Sequence, residues 1–437
     1  MQSAPTHHRF FVILALFVAA LISSTAQAQD IVYPGCDVPK INSGRIFYVD
    51  PINGSMAGDG SAAKPWRTLA EVANANLLST KRYVANTTDK FTDNTKAKVK
   101  EGDTVLLMSG DHGSVTLKGF NTDFITIAAA PNQQPVLREL FLTGATRWKI
   151  EGLRFQGIKL ASDWRSMVHA VGGFFGPATQ LIIKDNYITS HDDVNYWSQI
   201  DWKNNARNGI TIADTTNCTS LTNNKIINTR FGANLSGPNL VFHNNKIDYI
   251  GGDGLRFTNS NMLITHNRIT NNLDLGDGNH PDAMQGFVCA NGKCDGTAKN
   301  IVIDSNTIIR QTDPNLKFPN GLQGICAFDS NWYNVTVTNN VIVTNAYHGI
   351  TMNGLHGGLI ANNTVLGDGD LRPAINVKRA KTGVPSSDVT VRNNIAAGIS
   401  IDDGLINVVP DHNLIFGTFS VPGPTKHMWY EKPGVYG

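Results

Sequence analysis

The sequence predicts an all-β solenoid, a single-stranded parallel β-helix, from two observations. The first is a phrase that occurs nine times between residues 181 and 417, in which an alternating apolar run is followed by a polar residue, an Asn and a mostly apolar pair. The key Asn residues of the nine copies are Asn186, Asn224, Asn245, Asn267, Asn306, Asn340, Asn363, Asn394 and Asn413. The second is the two-residue period inside each copy, as at Val335 and Val337, which is typical of strands. One repeated unit therefore predicts stacked coils.

The spacing of the key Asn residues sets the length of a coil. The closest copies are 21, 22, 23 and 19 residues apart, and the other steps are 31 to 39 residues, so some coils carry inserted loops. A coil of about 22 residues has room for three short strands and three turns. Right-handed coiling is expected because right-handed crossovers dominate parallel sheets.

The repeated Asn has two expected roles. Side chains stacked at one phase predict a ladder of amide hydrogen bonds along the solenoid, as in Asn ladders of cross-β assemblies. We also expect this Asn to break each strand, because Asn tolerates left-handed backbone dihedrals. Both roles are structural.

The two ends of the chain differ from the repeats. Residues 1–28 are predicted to be a secretory signal peptide, with Arg9, an apolar stretch and the cleavage site Ala26-Gln27-Ala28. Residues 29–437 are predicted to be one β-helix domain, with an N-terminal cap at about 45–100, regular coils at about 101–417 and a C-terminal cap at 418–437. A short helix in RTLAEVANANLL, with Thr68 as N-cap, is expected to cover the open N-terminal end.

Composition narrows the class of protein. The 37 Lys and Arg nearly balance the 35 Asp and Glu, which argues against a nucleic-acid partner. After the signal peptide, no apolar run approaches the roughly 20 residues of a membrane span. We therefore expect a soluble monomer that is secreted or periplasmic.

The five cysteines support an oxidising compartment. Cys289 and Cys294 enclose only four residues, and this spacing predicts a disulfide that pins a loop tip. The pairing of Cys36, Cys218 and Cys326 stays open, and the odd count leaves at least one thiol free.

The opening of the mature chain carries a family resemblance. The segments IFYVDPINGSMAGDGSAAKPWRTLAEV and EGDTVLLMSGDHG, followed by the Asn-marked coils, resemble the pectate-lyase-like superfamily of right-handed parallel β-helix proteins. The resemblance is strongest to exported members that act on polysaccharide, and it covers nearly the whole mature chain. It implies an extended polysaccharide as partner. It selects no single activity, because the superfamily includes lyases, hydrolases, epimerases, tailspikes and adhesins.

A second strand precedes each Asn-marked run and predicts a column of outward side chains. This column contains Thr211, Arg256, Gln285, Cys326, Thr351 and Asn376. The position two residues before each inward apolar residue contains Asn208, Asp253, Asp282, Gln323, His348 and Pro373. Polar residues concentrate in the two middle coils, and our candidate site is Asp253, Arg256, His280, Asp282 and Gln285.

These residue types suit acid, base and carboxylate-binding chemistry. Asp253 and Asp282 are expected one coil apart, about 4.8 Å at Cα, where two carboxylates raise one pKa or bind a cation such as Ca²⁺. Arg256 suits a bidentate grip on a substrate carboxylate. His280 and His348 suit proton transfer. Turn, ion-pair, solvent-exposed and structural hydrogen-bonding roles are the alternatives.

The sequence therefore predicts a lyase that cleaves an acidic, uronate-containing glycan by β-elimination. Arg256 would neutralise the uronate, His280 would act as base and His348 as acid, while Asp253, Asp282 and Gln285 orient them or bind a metal. The same groups suit a C5-epimerase. The alternatives are a glycoside hydrolase with Asp253 and Asp282 as acid and base, and a non-catalytic glycan-binding or adhesive protein.

Three further residues are candidates for substrate binding. Lys378 and Arg379 lie in a basic patch that is suited to further units of an acidic glycan, with solvated loop charge as the alternative. Trp197 lies in an inserted loop where it is suited to stack on a sugar. A role in covering the core is the alternative for this tryptophan.

Overall fold

The chain folds into a parallel β-helix, as predicted. The computed structural model describes residues 30–40, 44–160, 163, 165–368 and 371–416. The described residues from 31 onward belong to one compact unit. The predicted signal peptide at 1–28 and the predicted C-terminal cap at 418–437 lie outside the described residues. Within these ranges, neither helix is long and apolar enough to cross a membrane.

Three stacks of parallel strands form the walls of the solenoid. Stack A consists of Val168–Val171, Ile210–Ile212, Ala233–Leu235, Leu255–Phe257, Asp282–Gly286, Gln323–Ala327, His348–Asn353, Ala374–Lys378 and Gly398–Ile401. Stack B consists of Ile46–Val49, Thr104–Leu107, Ala178–Lys184, Thr216–Thr222, Leu240–His243, Met262–Thr265, Thr297–Asp304, Asn331–Thr338, Leu355–Ala361, Ser387–Arg392 and Ile406–Asp411. Stack C consists of Gly110–Asp111, Pro135–Leu137, Arg154–Gln156, Tyr187–Thr189, Lys225–Thr229, Lys246–Ile250, Arg268–Asn272, Thr307–Ile309, Val341–Thr344, Thr364–Gly367, Ile395–Ala396 and Leu414–Ile415.

Two long strands join stacks A and B near the N-terminal end. Ser114–Ala129 and Glu139–Glu151 each run through both stacks and pair with each other in parallel. An antiparallel hairpin, Lys81–Tyr83 with Phe91–Asp93, is attached to the first of them. The core lies inside the coils, where alternate residues of every stack point inward and are fully buried.

The predicted Asn ladder is present and continuous. Each key Asn donates its side-chain amide to the side-chain oxygen of the next, at 2.9 to 3.2 Å, from Asn186 to Asn413. The same oxygen also accepts the backbone N–H of the preceding ladder residue, as Asn306 does from Asn267 at 2.9 Å. The ladder lies at the turn between stacks B and C and fixes the phase of each coil from Asn186 to Asn413.

The prediction that the key Asn itself adopts left-handed dihedrals is wrong. The residue before it does so, with φ between 49° and 59° at Asp185, Asn223, Asn244, His266, Ser305, Asn339, Asn362, Asn393 and His412. The key Asn must direct its amide inward to meet its neighbours in the ladder. The turn therefore takes its left-handed residue one position earlier, where Asn, Asp, His and Ser are tolerated.

Breaking the ladder in its middle is expected to destabilise the fold. Asn306→Ala removes the acceptor of the Asn267 side-chain amide and the donor to the Ile264 carbonyl, both of which are buried. We expect a loss of about 3 kcal/mol in the free energy of unfolding, measured by urea titration. Asn217→Ala is the control, because it removes one exposed hydrogen bond, from Asn239, and should cost less than about 1 kcal/mol. Equal costs would contradict a stabilising role for the ladder.

The N-terminal cap contains the predicted helix in a shorter form. The helix spans Leu69–Asn74, and Thr68 is its N-cap, with Oγ1 accepting from the backbone N–H of Glu71 at 3.2 Å. Leu69 and Val72 are fully buried against the first coils. The cap thus covers apolar residues at the open end of the solenoid, as expected.

Two disulfides are present. Cys289–Cys294 closes the loop tip, as predicted. Cys36–Cys218 links residues 182 positions apart and fastens the N-terminal segment to stack B. Cys326 is the free thiol that the odd number of cysteines predicted, and it is fully buried.

Candidate functional site

The register of stack A places the side chains of the predicted outward column next to one another on adjacent coils, and it adds one residue, Asn234, to the column. Thr211 pairs with Asn234, Asn234 with Arg256, and Arg256 with Gln285. Sequence reasoning missed Asn234, because its strand, ANL, has the small Ala233 at the inward position, where the other copies have Ile, Leu or Met. Arg256 and Gln285 are neighbours on adjacent coils, as the candidate site requires.

Asp253 and Asp282 also lie on adjacent coils, at the turns that lead into stack A. The backbone N–H of Asp282 donates to Oδ1 of Asp253 at 3.0 Å, and both residues are 2% exposed. The turns approach closely because Gly254 follows Asp253: a Cβ at this glycine would stand 2.5 Å from the carbonyl oxygen of Ala283. The glycine thus permits the contact that brings the carboxyl groups together.

Arg256 is held rigidly beside the pair. Its Nε and Nη2 both lie 2.7 Å from Oδ2 of Asp253. The guanidinium lies over the ring of Phe231 at 4.4 Å, a cation–π contact. Within the described residues Nη1 forms no hydrogen bond, and the side chain is 33% exposed. This guanidinium can therefore bind an anion while Asp253 holds it in place.

The environment of Asp282 favours the neutral carboxyl group. Burial raises its pKa to about 8, and the negative charge of Asp253 acts in the same direction. The neighbouring Cys326 thiol, the Gln285 amide and the Arg256 guanidinium oppose this rise. Oδ1 of Asp282 is buried and has no hydrogen-bond partner within the described residues. At neutral pH Asp282 therefore carries a proton that it can donate.

The two candidate histidines differ in environment. His280 is exposed, two residues before Asp282 in the loop that leads into stack A. His348 is half-buried, its Nδ1 lies 2.9 Å from Oγ1 of Thr351, and Phe328 packs edge-on against its ring. Burial, helped by the charge of Lys378, lowers the pKa of His348 to about 4. A neutral His348 favours the role of base over the predicted role of acid.

The outward column is open on some coils and closed on others. The partly exposed members are Thr211, Asn234, Arg256 and Gln285. The next members, Cys326, Thr351 and Asn376, are all fully buried. Tyr347 lies over this second part and donates its hydroxyl to Oδ1 of Asn376 at 3.0 Å. The groove is therefore open from Arg256 toward the N-terminal coils.

Lys378 and Arg379 have different surroundings. Lys378 ends its strand in stack A, and its Nζ lies 5.9 Å from the ring centroid of Tyr347. Arg379 instead donates Nη2 to the carbonyl oxygens of Asp403 and Gly404, at 2.9 and 3.1 Å. Lys378 therefore lies near the closed end of the groove, whereas Arg379 is hydrogen-bonded to the loop at Asp403 and Gly404.

Trp197 does not have the exposure that sugar stacking requires. It is 1% exposed and packs edge-on against Trp202, 5.1 Å away between ring centroids. Trp202 belongs to a helix, Gln199–Asn205, which a capping box between Ser198 and Asp201 begins. The tryptophan thus covers core, which was the alternative interpretation. Its neighbour Tyr196 is 65% exposed.

The carboxylate pair does not fit the predicted calcium. Calcium takes about six to eight oxygen ligands. Both oxygens of Asp253 are already engaged, by Arg256 and by the backbone of Asp282. Among the described residues, no group of three or more His, Cys, Asp or Glu side chains could hold a metal ion. We derive no step that depends on calcium.

Comparison with known proteins gives a family for the chain. The model of the right-handed β-helix region matches residues 139–313 and 283–422, which together exceed half of the chain. No curated protein matches the sequence.

Solved structures similar to the chain include three proteins whose names refer to a carbohydrate. XylC in complex with xylose is 12% identical with a TM-score of 0.49, over 83% of this chain and 76% of that one. Pectate lyase Pel9A is 14% identical with a TM-score of 0.43, over 87% and 82%. The alginate lyase of Paenibacillus sp. str. FPU-7 is 14% identical with a TM-score of 0.37, over 72% and 94%. At these identities and TM-scores, no activity or residue role is transferred to this chain.

Proposed function

We propose an activity on acidic polysaccharide for this chain, which belongs to the right-handed β-helix family. The activity that the site supports best is β-elimination by an exported lyase. One observation carries this proposal: Arg256, fixed by Asp253, stands beside a carboxyl group that is neutral at pH 7. The two disulfides are compatible with an exported protein.

Arg256 is suited to neutralise a uronate, because the free edge of its guanidinium offers charged N–H donors. Donors of this kind stabilise the negative charge that develops on the carboxyl group when the C5 proton is removed. Asp253 acts as a positioning residue, because its oxygens contact protein groups.

The elimination needs a base and an acid. The base takes the C5 proton, the C4–C5 double bond forms, the C4–O4 bond breaks, and O4 receives a proton. We assign the base to a histidine, either the exposed His280 or the neutral His348. Asp282 can supply the proton to O4, since burial keeps it protonated at neutral pH. Return of the proton to C5 from the opposite face would instead give epimerisation.

Hydrolysis is the second candidate, and the raised pKa of Asp282 favours it. A neutral Asp282 beside a second carboxyl group, that of Asp253, resembles the pair of carboxyl groups in a glycosidase. Adjacent coils place the carboxyl groups nearer to the retaining separation of about 5 Å than to the inverting range. Against this role, protein groups already engage both oxygens of Asp253.

A substrate panel tests the proposal. The mature protein is incubated with polymers of galacturonate, mannuronate, guluronate and glucuronate, and with neutral glucan and xylan as controls. We expect ultraviolet absorbance of a 4,5-unsaturated uronide from one of the acidic polymers only. New reducing ends without this absorbance would replace the lyase by a hydrolase. Binding without any product would leave a non-catalytic glycan-binding protein.

The pH dependence of kcat/KM is expected to be bell-shaped. Activity should fall as pH rises through about 8, where Asp282 loses its proton. If His348 is the base, activity should fall on the acid side only near pH 4, where its imidazole becomes charged. Initial rates at low substrate concentration, measured on the active polymer, give both limbs for the free enzyme. An alkaline limb that persists unchanged in Asp282→Asn would contradict the assignment.

A further inference from the structure

A cationic cleft opens beside the candidate site and has no role in the mechanism above. Its volume is about 520 Å³, and it lies in the N-terminal direction along stack A. Five cationic side chains line it: Lys159, Arg165, Lys203, Arg207 and Arg230. Asp163 is the one acidic residue among the described residues that line it.

The carboxylates around this cleft do not balance its cations. Glu139 pairs with Arg165 at 3.2 Å and with Arg207 at 2.9 Å. Asp163 pairs with Arg138 and, at 3.5 Å, with Nε of Arg207, and Asp277 pairs with Arg230. In the part of the chain that the structure describes, the exposed ammonium groups of Lys159 and Lys203 form no ion pair or hydrogen bond. The cleft therefore has an excess of positive charge.

One buried donor of the cleft lacks an acceptor. Nη1 of Arg230 is buried and forms no hydrogen bond to any described residue. Nε of Arg207 is also buried, and it lies 3.5 Å from Oδ2 of Asp163 in an ion pair. A buried N–H without an acceptor costs about 1 to 3 kcal/mol. An anion with oxygen acceptors in this cleft could offset part of that cost.

The cleft is continuous with the candidate site. Phe231 lines the cleft, and the guanidinium of Arg256 lies 4.4 Å from the centroid of its ring. Asn208, which also lines the cleft, and Phe231 precede Asp253 in the same column, because Ile210 pairs with Ala233 and Ala233 with Leu255. Each coil adds about 4.8 Å. A polymer that lies along the open groove would therefore pass from Arg256 directly over the cleft.

We propose that this cleft is a binding subsite for an anionic group, a carboxylate or a sulfate ester, on a sugar unit next to the one held at Arg256. This inference rests on the proposed activity on an acidic glycan. The subsite supplies affinity and direction, since it fixes which end of the chain lies toward the N-terminal coils. No bond is made or broken there.

The test removes charge where folding does not depend on it. Lys159→Gln with Lys203→Gln changes two exposed side chains of the cleft. The matched control, Lys225→Gln with Lys299→Gln, removes the same charge from exposed positions on stacks C and B. Calorimetry with the full-length mature protein at low salt measures affinity for oligogalacturonate, oligomannuronate, a carboxyl-reduced neutral oligomer and a sulfated neutral oligomer.

We expect the cleft variant to bind the preferred anionic oligomer at least about tenfold more weakly than the control variant does. On a cleavable polymer, KM should rise with little change in kcat. Selective binding of the sulfated oligomer with the same loss would support the subsite and assign it to a sulfate ester. Equal affinities of the two variants, or equal affinity for the neutral oligomer, would overturn it. Binding is measured separately from turnover, so the two proposals can fail independently. If the cleft variant binds more weakly but no acidic polymer is cleaved, the subsite stands and only the proposed function is refuted.

Discussion

Arg256→Gln is expected to lower kcat/KM on the acidic polymer by about a thousandfold. The variant loses the guanidinium that faces the uronate at the open part of the groove, where the charge develops on the carboxyl group. The same change should matter far less on a methyl-esterified polymer, because a methyl ester presents no carboxylate for Arg256 to neutralise. The ratio of the two losses, measured as initial rates on matched polymers, isolates the proposed role from a general loss of activity.

The controls for this prediction separate chemistry from folding. Arg256→Gln leaves Asp253, which is 2% exposed, without its ion pair, so some loss of stability is expected. Arg256→Lys keeps a charge near Asp253 but cannot reproduce the fork of Nε and Nη2, and it should restore stability more fully than activity. If both variants fold and both cleave the acidic polymer at the wild-type rate, Arg256 has no part in neutralisation.

The fold was predictable because its determinants repeat. A key Asn that recurs at one phase identifies every coil from 181 onward, and the observed ladder joins all nine. The pattern could not reveal that the left-handed residue precedes the Asn, since Asp185, Asn223 and His266 share a backbone conformation and not a residue type. It also could not pair Cys36 with Cys218, because the N-terminal segment lies outside the repeat.

The candidate site was predictable only in part. The phase of the Asn repeat was enough to predict that four residues of the candidate site lie on adjacent coils, and the observed contacts agree. These residues are Asp253, Arg256, Asp282 and Gln285. Burial was not predictable, because it depends on inserted loops that have no repeat. Those loops bury Trp197, whereas the copy FGANLSG, which sequence reasoning overlooked because Ala233 is its inward residue, supplies Phe231 beneath Arg256.

The cationic cleft escaped sequence reasoning for a related reason. Its charges come from an inserted loop, a short helix and two turns, at Lys159, Lys203, Arg207 and Arg230, and no motif joins them. Stacking brings them together on neighbouring coils. A repeat therefore predicts where side chains of the regular strands meet, but not what the insertions between the strands contribute.

Asp282→Asn is expected to have opposite effects on activity and stability. Asn cannot donate a proton to O4, so kcat should fall by about a thousandfold. The folded protein holds a proton on Asp282 up to about pH 8, whereas the unfolded chain releases it near the ordinary aspartate pKa of 3.8. Folded molecules thus bind more protons in this window, and the wild-type protein loses stability as pH rises across it. The Asp282→Asn variant has no ionisable group at this position, so it does not lose stability in this way as pH rises.

The stability of Asp282→Asn should therefore exceed that of the wild-type protein by an amount that grows from about pH 4 to about pH 8 and then stays constant. Its upper limit is on the order of 6 kcal/mol, at about 1.4 kcal/mol for each unit by which the pKa is raised. Urea titrations at several pH values measure it, with the exposed Asp214→Asn as the matched control. A difference independent of pH would mean that Asp282 is ionised in the folded protein, which would remove the proton donor from both the lyase and the hydrolase mechanism.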